Sequence, residues 1–177
     1  MTAPGRVLIL TGPPGSGKST LAELIATKSR RAVHLDVDSF FHLIRSGYVE
    51  PWQPESHDQN AVVFRVVGDA AETYAKAGYM TIVEGVILPG WFFEPLHERL
   101  QDAELEVTTV VLRPPLEICL ARASQRSARP LSDLAVVQRL WEEFADVGPL
   151  APEVLENVDD ADATSEAVMA RIIPGDA

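Results

Sequence analysis

The sequence predicts an α/β fold, a parallel sheet with helices packed on both of its faces. Two observations carry this expectation. Short apolar runs and helical stripes alternate from one end of the chain to the other, with no internal repeat or low-complexity segment. The first apolar run, Val7 to Leu10, stops at a glycine-rich turn that leads straight into a helical pattern near Lys18. Strands separated by helices pair in parallel, and the helices then cover both faces. At 177 residues the chain is one domain's worth, with enough length for a real core.

The elements follow in order. Leu21, Leu24 and Ile25 form the stripe of the first helix. Ala32 to Asp36 reads as a second strand with acidic residues at its exit, and a helix is expected over Ser39 to Arg45. Gly47 to His57 holds two prolines and a glycine and is expected to be a loop. A long helix should run from about Asp58 to Ala77 on the stripe Val63, Val66, Val67, Ala70, Tyr74 and Ala77, and Gly78 stops it. Met80 to Val83 is the third strand and ends in Glu84-Gly85. After Pro89-Gly90 a short helix is expected around Pro95 to Gln101.

Glu106 to Leu112, rich in Val and Thr, is the fourth strand. Pro114 and Pro115 suit the start of a helix reaching about Gln125. Ser132 can cap another helix carrying Leu134, Val137, Trp141 and Phe144. Val154 to Val158 is expected as the fifth strand and Thr164 to Ile173 as the final helix.

Composition narrows the function. A net charge of −11 works against an extended nucleic-acid backbone, which needs a basic surface to displace counterions. No apolar stretch reaches the roughly 18 residues of a membrane span, and no targeting segment is visible, so no membrane partner is expected. The one cysteine, Cys119, fits a reducing cytoplasmic setting, and its helical neighbours Leu116, Leu120 and Ala123 suggest a buried thiol. The four histidines lack zinc-ligand spacing.

The turn itself is specific. Gly12, Gly17, Lys18 and Ser19 satisfy G-x-x-x-x-G-K-[ST], the phosphate-binding P-loop, with a strand before it and a helix after it. The run Gly12, Pro13, Pro14, Gly15, Ser16, Gly17, Lys18, Ser19, Thr20 is therefore expected to cradle a nucleoside triphosphate, ATP, at the positive end of the first helix. Lys18 would reach the β- and γ-phosphates, and Ser19 would hold Mg²⁺.

In parallel sheets, ligands sit beyond the carboxyl ends of the strands. There the second strand delivers Asp36 and Asp38, either of which could take a proton from an attacking hydroxyl; Asp38 is the preferred base, although Asp38 or Ser39 could instead cap the next helix. The third strand delivers Glu84 in a Walker-B-like position, suited to Mg²⁺ directly or through water, or to substrate. Arg113, Arg122, Arg126 and Arg129 follow the fourth strand. Arg126 is the candidate for neutralising charge on the transferred group, with Arg122 and Arg129 helping to bind nucleotide. A small-molecule acceptor pocket is expected in the region 38–60, where Tyr48, Trp52, His57, Asp58 and Asn60 offer aromatic and hydrogen-bonding groups, with Trp91 on the same rim.

These pieces resemble a known group. GPPGSGKST near the start, VDS at 37–39, VEG at 83–85 and the arginines near 122–129 make the chain similar to the small P-loop kinases of the nucleoside-monophosphate-kinase-like group, including shikimate and gluconate kinases. The nearer likeness is to the chloramphenicol phosphotransferase branch. The resemblance implies a single P-loop kinase domain over 1–177, a three-layer fold with sheet order 2-3-1-4-5, and an arginine-bearing helical lid at about 122–147. It also implies Asp38 as base. The D-G-x-P-R signature of nucleotide kinases appears only as Glu84-Gly85-Val86-Ile87-Leu88, which speaks against a nucleoside monophosphate acceptor. The expected activity is an ATP- and Mg²⁺-dependent phosphotransferase acting on an alcohol of a metabolite or antibiotic-like molecule. A regulatory nucleotide switch and a polynucleotide 5′-hydroxyl kinase are the alternatives, and the oligomeric state is open.

Overall fold

A computed structural model describes residues 5–125, 134–156 and 160–172. Five strands form one parallel sheet: β1 (Arg6–Thr11), β2 (Ala32–Asp36), β3 (Met80–Gly85), β4 (Glu106–Leu112) and β5 (Val154–Leu155), in the order β2-β3-β1-β4-β5. This is the expected order. Register pairs Leu10 with Glu84, and Asp36 with Glu84 from the other side, so the acidic strand ends lie level with the P-loop.

The helices are α1 (Lys18–Lys28), α2 (Val37–Phe41), α3 (His57–Lys76), α4 (Phe93–Asp102), α5 (Leu116–Ser124), α6 (Leu134–Glu143) and α7 (Ala161–Ile172). Alternation along β1 divides the core. Val7 and Ile9 face α2, α3 and α4, and pack with Phe64, Val67, Ala71 and Leu96. Leu8 and Leu10 face α1 and α7, and pack with Leu21, Ile25, Val168 and Ile172. Val7, Leu8, Ile9 and Leu10 are fully buried, so truncating Leu8, Ile9 or Leu10 to alanine would cost about 2–5 kcal/mol.

Several boundaries differ from expectation, each for a local reason. The second helix is short and begins early: Asp36, rather than Asp38 or Ser39, is the cap, its Oδ1 accepting from the Asp38 N–H at 3.1 Å. Beyond Phe41 the chain presents Leu43, 68% exposed, so no apolar face remains to continue the helix to Arg45. The fourth helix starts at Phe93 rather than Pro95, because Phe93 itself turns into the core.

Helix α7 starts three residues before Thr164 because Asp160 caps it, accepting from the N–H groups of Asp162 (2.9 Å) and Ala163 (3.1 Å). The fifth strand is a two-residue pairing of Val154 and Leu155 with Val111 and Leu112. Residues 157–158 of the expected strand, the Ser132 cap and Ile173 lie outside the described residues. Gly78, at φ 81°, ends α3 as expected. No described helix is long and apolar enough to cross a membrane.

Candidate active site

The glycines of the P-loop have distinct reasons to be glycine. Gly12 has φ 147°, and a Cβ there would stand 2.1 Å from the Leu112 carbonyl oxygen. At Gly15 (φ 81°) a Cβ would stand 2.3 Å from the carbonyl oxygen of Cys119. The loop thus lies against β4 and α5 so closely that only backbone fits. Gly17 is open on that side: its Cβ would meet only Arg122, at 3.5 Å. Lys18, buried, donates through Nζ to the carbonyls of Gly12 (2.9 Å) and Pro13 (3.1 Å), so its ammonium lies inside the loop.

The residues fit a bound nucleotide. Ser16 Oγ is fully buried with no hydrogen-bond partner among the described residues, a group left for a ligand to satisfy. It lines a cavity of about 270 Å³ together with Gly17, Thr20, Leu112, Arg122 and Thr164. That cavity sits beside the phosphate loop and between α1, α5 and α7, where a nucleoside would continue from its phosphates. Arg122, expected to help bind nucleotide, lines this cavity beside Gly17. Arg126 and Arg129 lie outside the described residues. Arg113 has another role: its guanidinium stacks 3.9 Å over the Trp141 ring, whose Nε1 donates to the Pro114 carbonyl at 2.8 Å.

Asp36 ends β2, Asp38 follows in the first turn of α2 and Glu84 lies at the end of β3, with the Lys18 charge acting on Asp38 and Glu84; their environments separate the three. The Oδ2 of Asp36 accepts from the Ser39 hydroxyl at 2.5 Å and its Oδ1 caps α2, so both oxygens are engaged in holding that helix. Asp38 is solvent-accessible but hemmed in by protein atoms. Burial and then the Asp36 charge push its carboxyl above the ordinary range, against the pull of Lys18. At Glu84, burial pushes upward. The His34 hydrogen bond (3.2 Å), the Lys18 charge and the Ser19 hydroxyl outweigh it and hold the carboxyl below its usual value. Ser19 and Glu84 are thus neighbours, a hydroxyl and an ionised carboxylate. That hard-oxygen pair suits Mg²⁺, which takes few protein ligands and completes its shell with phosphates and water.

A second cavity, about 550 Å³, opens between two loops and α6. It is lined by Trp52, Ser56 and His57 from the first loop and the start of α3, by Leu88 to Trp91 from the second loop, and by Arg139, Leu140 and Glu143 from the α6 side. Expectation had placed Trp52, His57 and Trp91 at an acceptor pocket, and they do line one cavity.

The other candidates are used locally. Tyr48 stacks on His42 and donates to Glu50 at 3.0 Å. Asp58 does not line the cavity. Asn60 donates from Nδ2 to the Pro51 carbonyl (2.8 Å) and to Ser56 Oγ (2.9 Å). Gln59 grips the Val49 backbone in both directions, at 2.9 and 2.7 Å. Together they strap the loop to the start of α3, so the Trp52 lining is formed before any ligand arrives.

The lining from α6 was not legible in the sequence, although Arg139 and Glu143 share a helix face. Nor was Thr11, which ties the start of the P-loop to the segment after β3. Fully buried, its hydroxyl accepts from the Ile87 N–H and donates to the Ile87 carbonyl, both at 2.9 Å. The residue before the P-loop therefore fixes the segment that leads into the lining of the second cavity.

Comparison with known proteins agrees with this architecture. Among solved structures, the tunicamycin resistance protein of Deinococcus radiodurans is similar at a TM-score of 0.71 and 18% identity, with 95% of each chain covered. A gluconokinase from Sinorhizobium meliloti 1021 gives 0.70 at 15% identity, covering 98% of this chain and 94% of that one. The shikimate kinase of Acinetobacter baumannii gives 0.66 at 20%, covering 97% and 95%. At such identities the likeness is one of fold. No curated protein matches the sequence significantly. The model of a family described as an AAA domain matches residues 7–148, most of the chain. The chain belongs to this AAA domain family and has the fold of the small P-loop kinases that its motifs resemble.

Proposed function

We propose that the protein is an ATP-dependent small-molecule kinase that transfers the γ-phosphoryl group to an alcohol, with Asp38 as the base. The observation that carries this reading is the division of labour among the three carboxylates at and just beyond the strand ends. Asp36 holds a helix, Glu84 is buried and kept ionised beside Ser19, and Asp38, the most exposed of the three, has a carboxyl made more basic than usual. A base poised in this way beside the phosphate loop suits attack by a hydroxyl.

In the step, the acceptor oxygen forms a bond to the γ-phosphorus while the bond from that phosphorus to the β–γ bridging oxygen breaks. The hydroxyl proton passes to the Asp38 carboxylate, and ADP leaves with the bond's electron pair. Mg²⁺ bound by Ser19 and Glu84 would neutralise charge on the β- and γ-phosphates. Lys18 binds and orients the same oxygens, and Arg122 covers the loop from α5. The strapped Trp52 loop and the 88–91 segment place the acceptor and exclude water around it.

Lys18→Ala and Asp38→Asn test the reading. Each should abolish acceptor-dependent ADP production, the first by losing the nucleotide and the second with nucleotide still bound. Acceptor-dependent turnover surviving in both variants would rule the mechanism out.

A further inference from the structure

The carboxylate assigned as base stands on a helix too short to hold itself in place. Helix α2 has five residues, little more than one turn, and such a helix has no stability of its own in water. The position of Asp38 is therefore set by whatever α2 is pinned to. Asp36 caps its first turn, with Oδ1 accepting from the Asp38 N–H at 3.1 Å and Oδ2 from the Ser39 hydroxyl at 2.5 Å. Phe41, buried, packs edge-on against Phe64 of α3, with 6.3 Å between ring centroids. Val37, also buried, lies against the end of β3 at Gly85.

This last contact is one that only glycine allows. The φ of Gly85 lies outside the left-handed region, so its backbone does not demand glycine. Space does. A Cβ at position 85 would stand 2.9 Å from Val37 Cβ and 3.0 Å from Val37 Cγ2. The Val37 Cβ is fixed to the backbone, so a new rotamer cannot relieve the contact and α2 itself has to move. Val37 directly precedes Asp38, so the displacement reaches the base. Neither Asp36 nor Gly85 lines the cavity beside the phosphate loop.

Resting on the kinase reading above, we propose that Asp36 and Gly85 are positioning residues for phosphoryl transfer: both act through α2 to hold the Asp38 carboxylate where the acceptor hydroxyl meets the γ-phosphate, and neither serves nucleotide binding. A misplacement of about 1 Å in such a group costs roughly 10²-fold in rate. The test follows label from γ-labelled MgATP into an ester of glycerol, glucose, gluconate, shikimate or adenosine, with the full chain. Gly85→Ala and Asp36→Ala should each lower kcat about 10²-fold and keep the KM for MgATP and the Kd for MgADP within about twofold of the parent. Asp36→Asn keeps an oxygen to accept from the Asp38 N–H and should stay within about fivefold of the parent kcat. In a crystal structure of Gly85→Ala, α2 should stand about 1 Å or more from its parent position, with the phosphate loop unmoved. Parent kcat in Gly85→Ala, a KM for MgATP that rises with the loss, or an asparagine variant as slow as the alanine one would overturn this proposal and leave the kinase reading intact. A parent chain that forms no ester with any of the five alcohols, with MgADP still binding, would overturn both.

Discussion

Thr11 offers the sharpest test of how the P-loop is tied to the segment after β3. Thr11→Val keeps the shape of the side chain and deletes its hydroxyl. The Ile87 N–H and carbonyl then each lose a 2.9 Å partner in a place that water does not reach, since Thr11 and Ile87 are both fully buried. An unsatisfied buried backbone group costs about 1–3 kcal/mol, and relaxation recovers part of the loss. We therefore expect a destabilisation of about 2–3 kcal/mol. For a chain of 177 residues, each kcal/mol moves the Tm by roughly 2–4 °C, so the drop should be on the order of 5–10 °C. Thermal unfolding by circular dichroism reads the stability, and hydrogen exchange at the Ile87 amide reads the lost bond. Thr11→Ser should recover most of both. A valine variant as stable as the parent, with Ile87 still protected, would refute the role assigned to this hydroxyl.

Three further outcomes follow from the geometry. Gly15→Ala, whose Cβ would press on the Cys119 carbonyl at 2.3 Å, should abolish nucleotide binding and lower stability; Gly17→Ala meets only a flexible arginine in the free chain and should lower its stability by just the roughly 1–2 kcal/mol of left-handed backbone strain, as denaturant titration of the two free variants and MgADP binding by the first will report. The His34–Glu84 bond should make stability depend on pH from both sides. Glu84 raises the His34 pKa, so that contribution is complete below about pH 6.5 and fades as pH rises through the folded-state value; Glu84's own depressed pKa gives a contribution present above about pH 4.5 and lost as pH falls through its folded value. His34→Gln should flatten the alkaline side of a Tm-against-pH profile, and an unchanged slope would contradict the pairing. Trp141→Phe, which removes the bond to the Pro114 carbonyl, should lower stability by about 1 kcal/mol in the same unfolding assay and leave nucleotide affinity alone.

What was legible in the sequence is what local chemistry dictates. The Val7–Leu10 run, the spacing of Gly12, Gly17 and Lys18, and the Pro114-Pro115 pair each impose a backbone state almost regardless of surroundings. The sheet and the phosphate loop therefore followed from the residues. Trp52, His57 and Trp91 were identifiable as rim residues because aromatic groups clustered in loops point to ligands.

Legibility failed where the deciding partner lies far along the chain. Asp36 and Asp38 look alike as letters; only the turn geometry shows that Asp36 caps α2 and that Asp38 is left open. Thr11 meets Ile87 across 76 positions, and Arg139 joins Trp52 in one lining only after α6 has packed. Asn60 resembled a substrate contact, yet its amide holds a loop. The length of the fifth strand was overestimated because Val154 to Val158 has strand-like composition, while only Val154 and Leu155 find partners on β4.

The central claim is phosphoryl transfer to an alcohol with Asp38 taking the proton, and the fate of the γ-phosphate tests it most directly. With γ-labelled ATP, Mg²⁺ and an accepted alcohol, the label should appear in a phosphate ester. Asp38→Asn should bind MgADP as the parent does and form that ester about 10²–10⁴-fold more slowly. Label recovered only as inorganic phosphate, or an asparagine variant forming the ester at the parent rate, would contradict it.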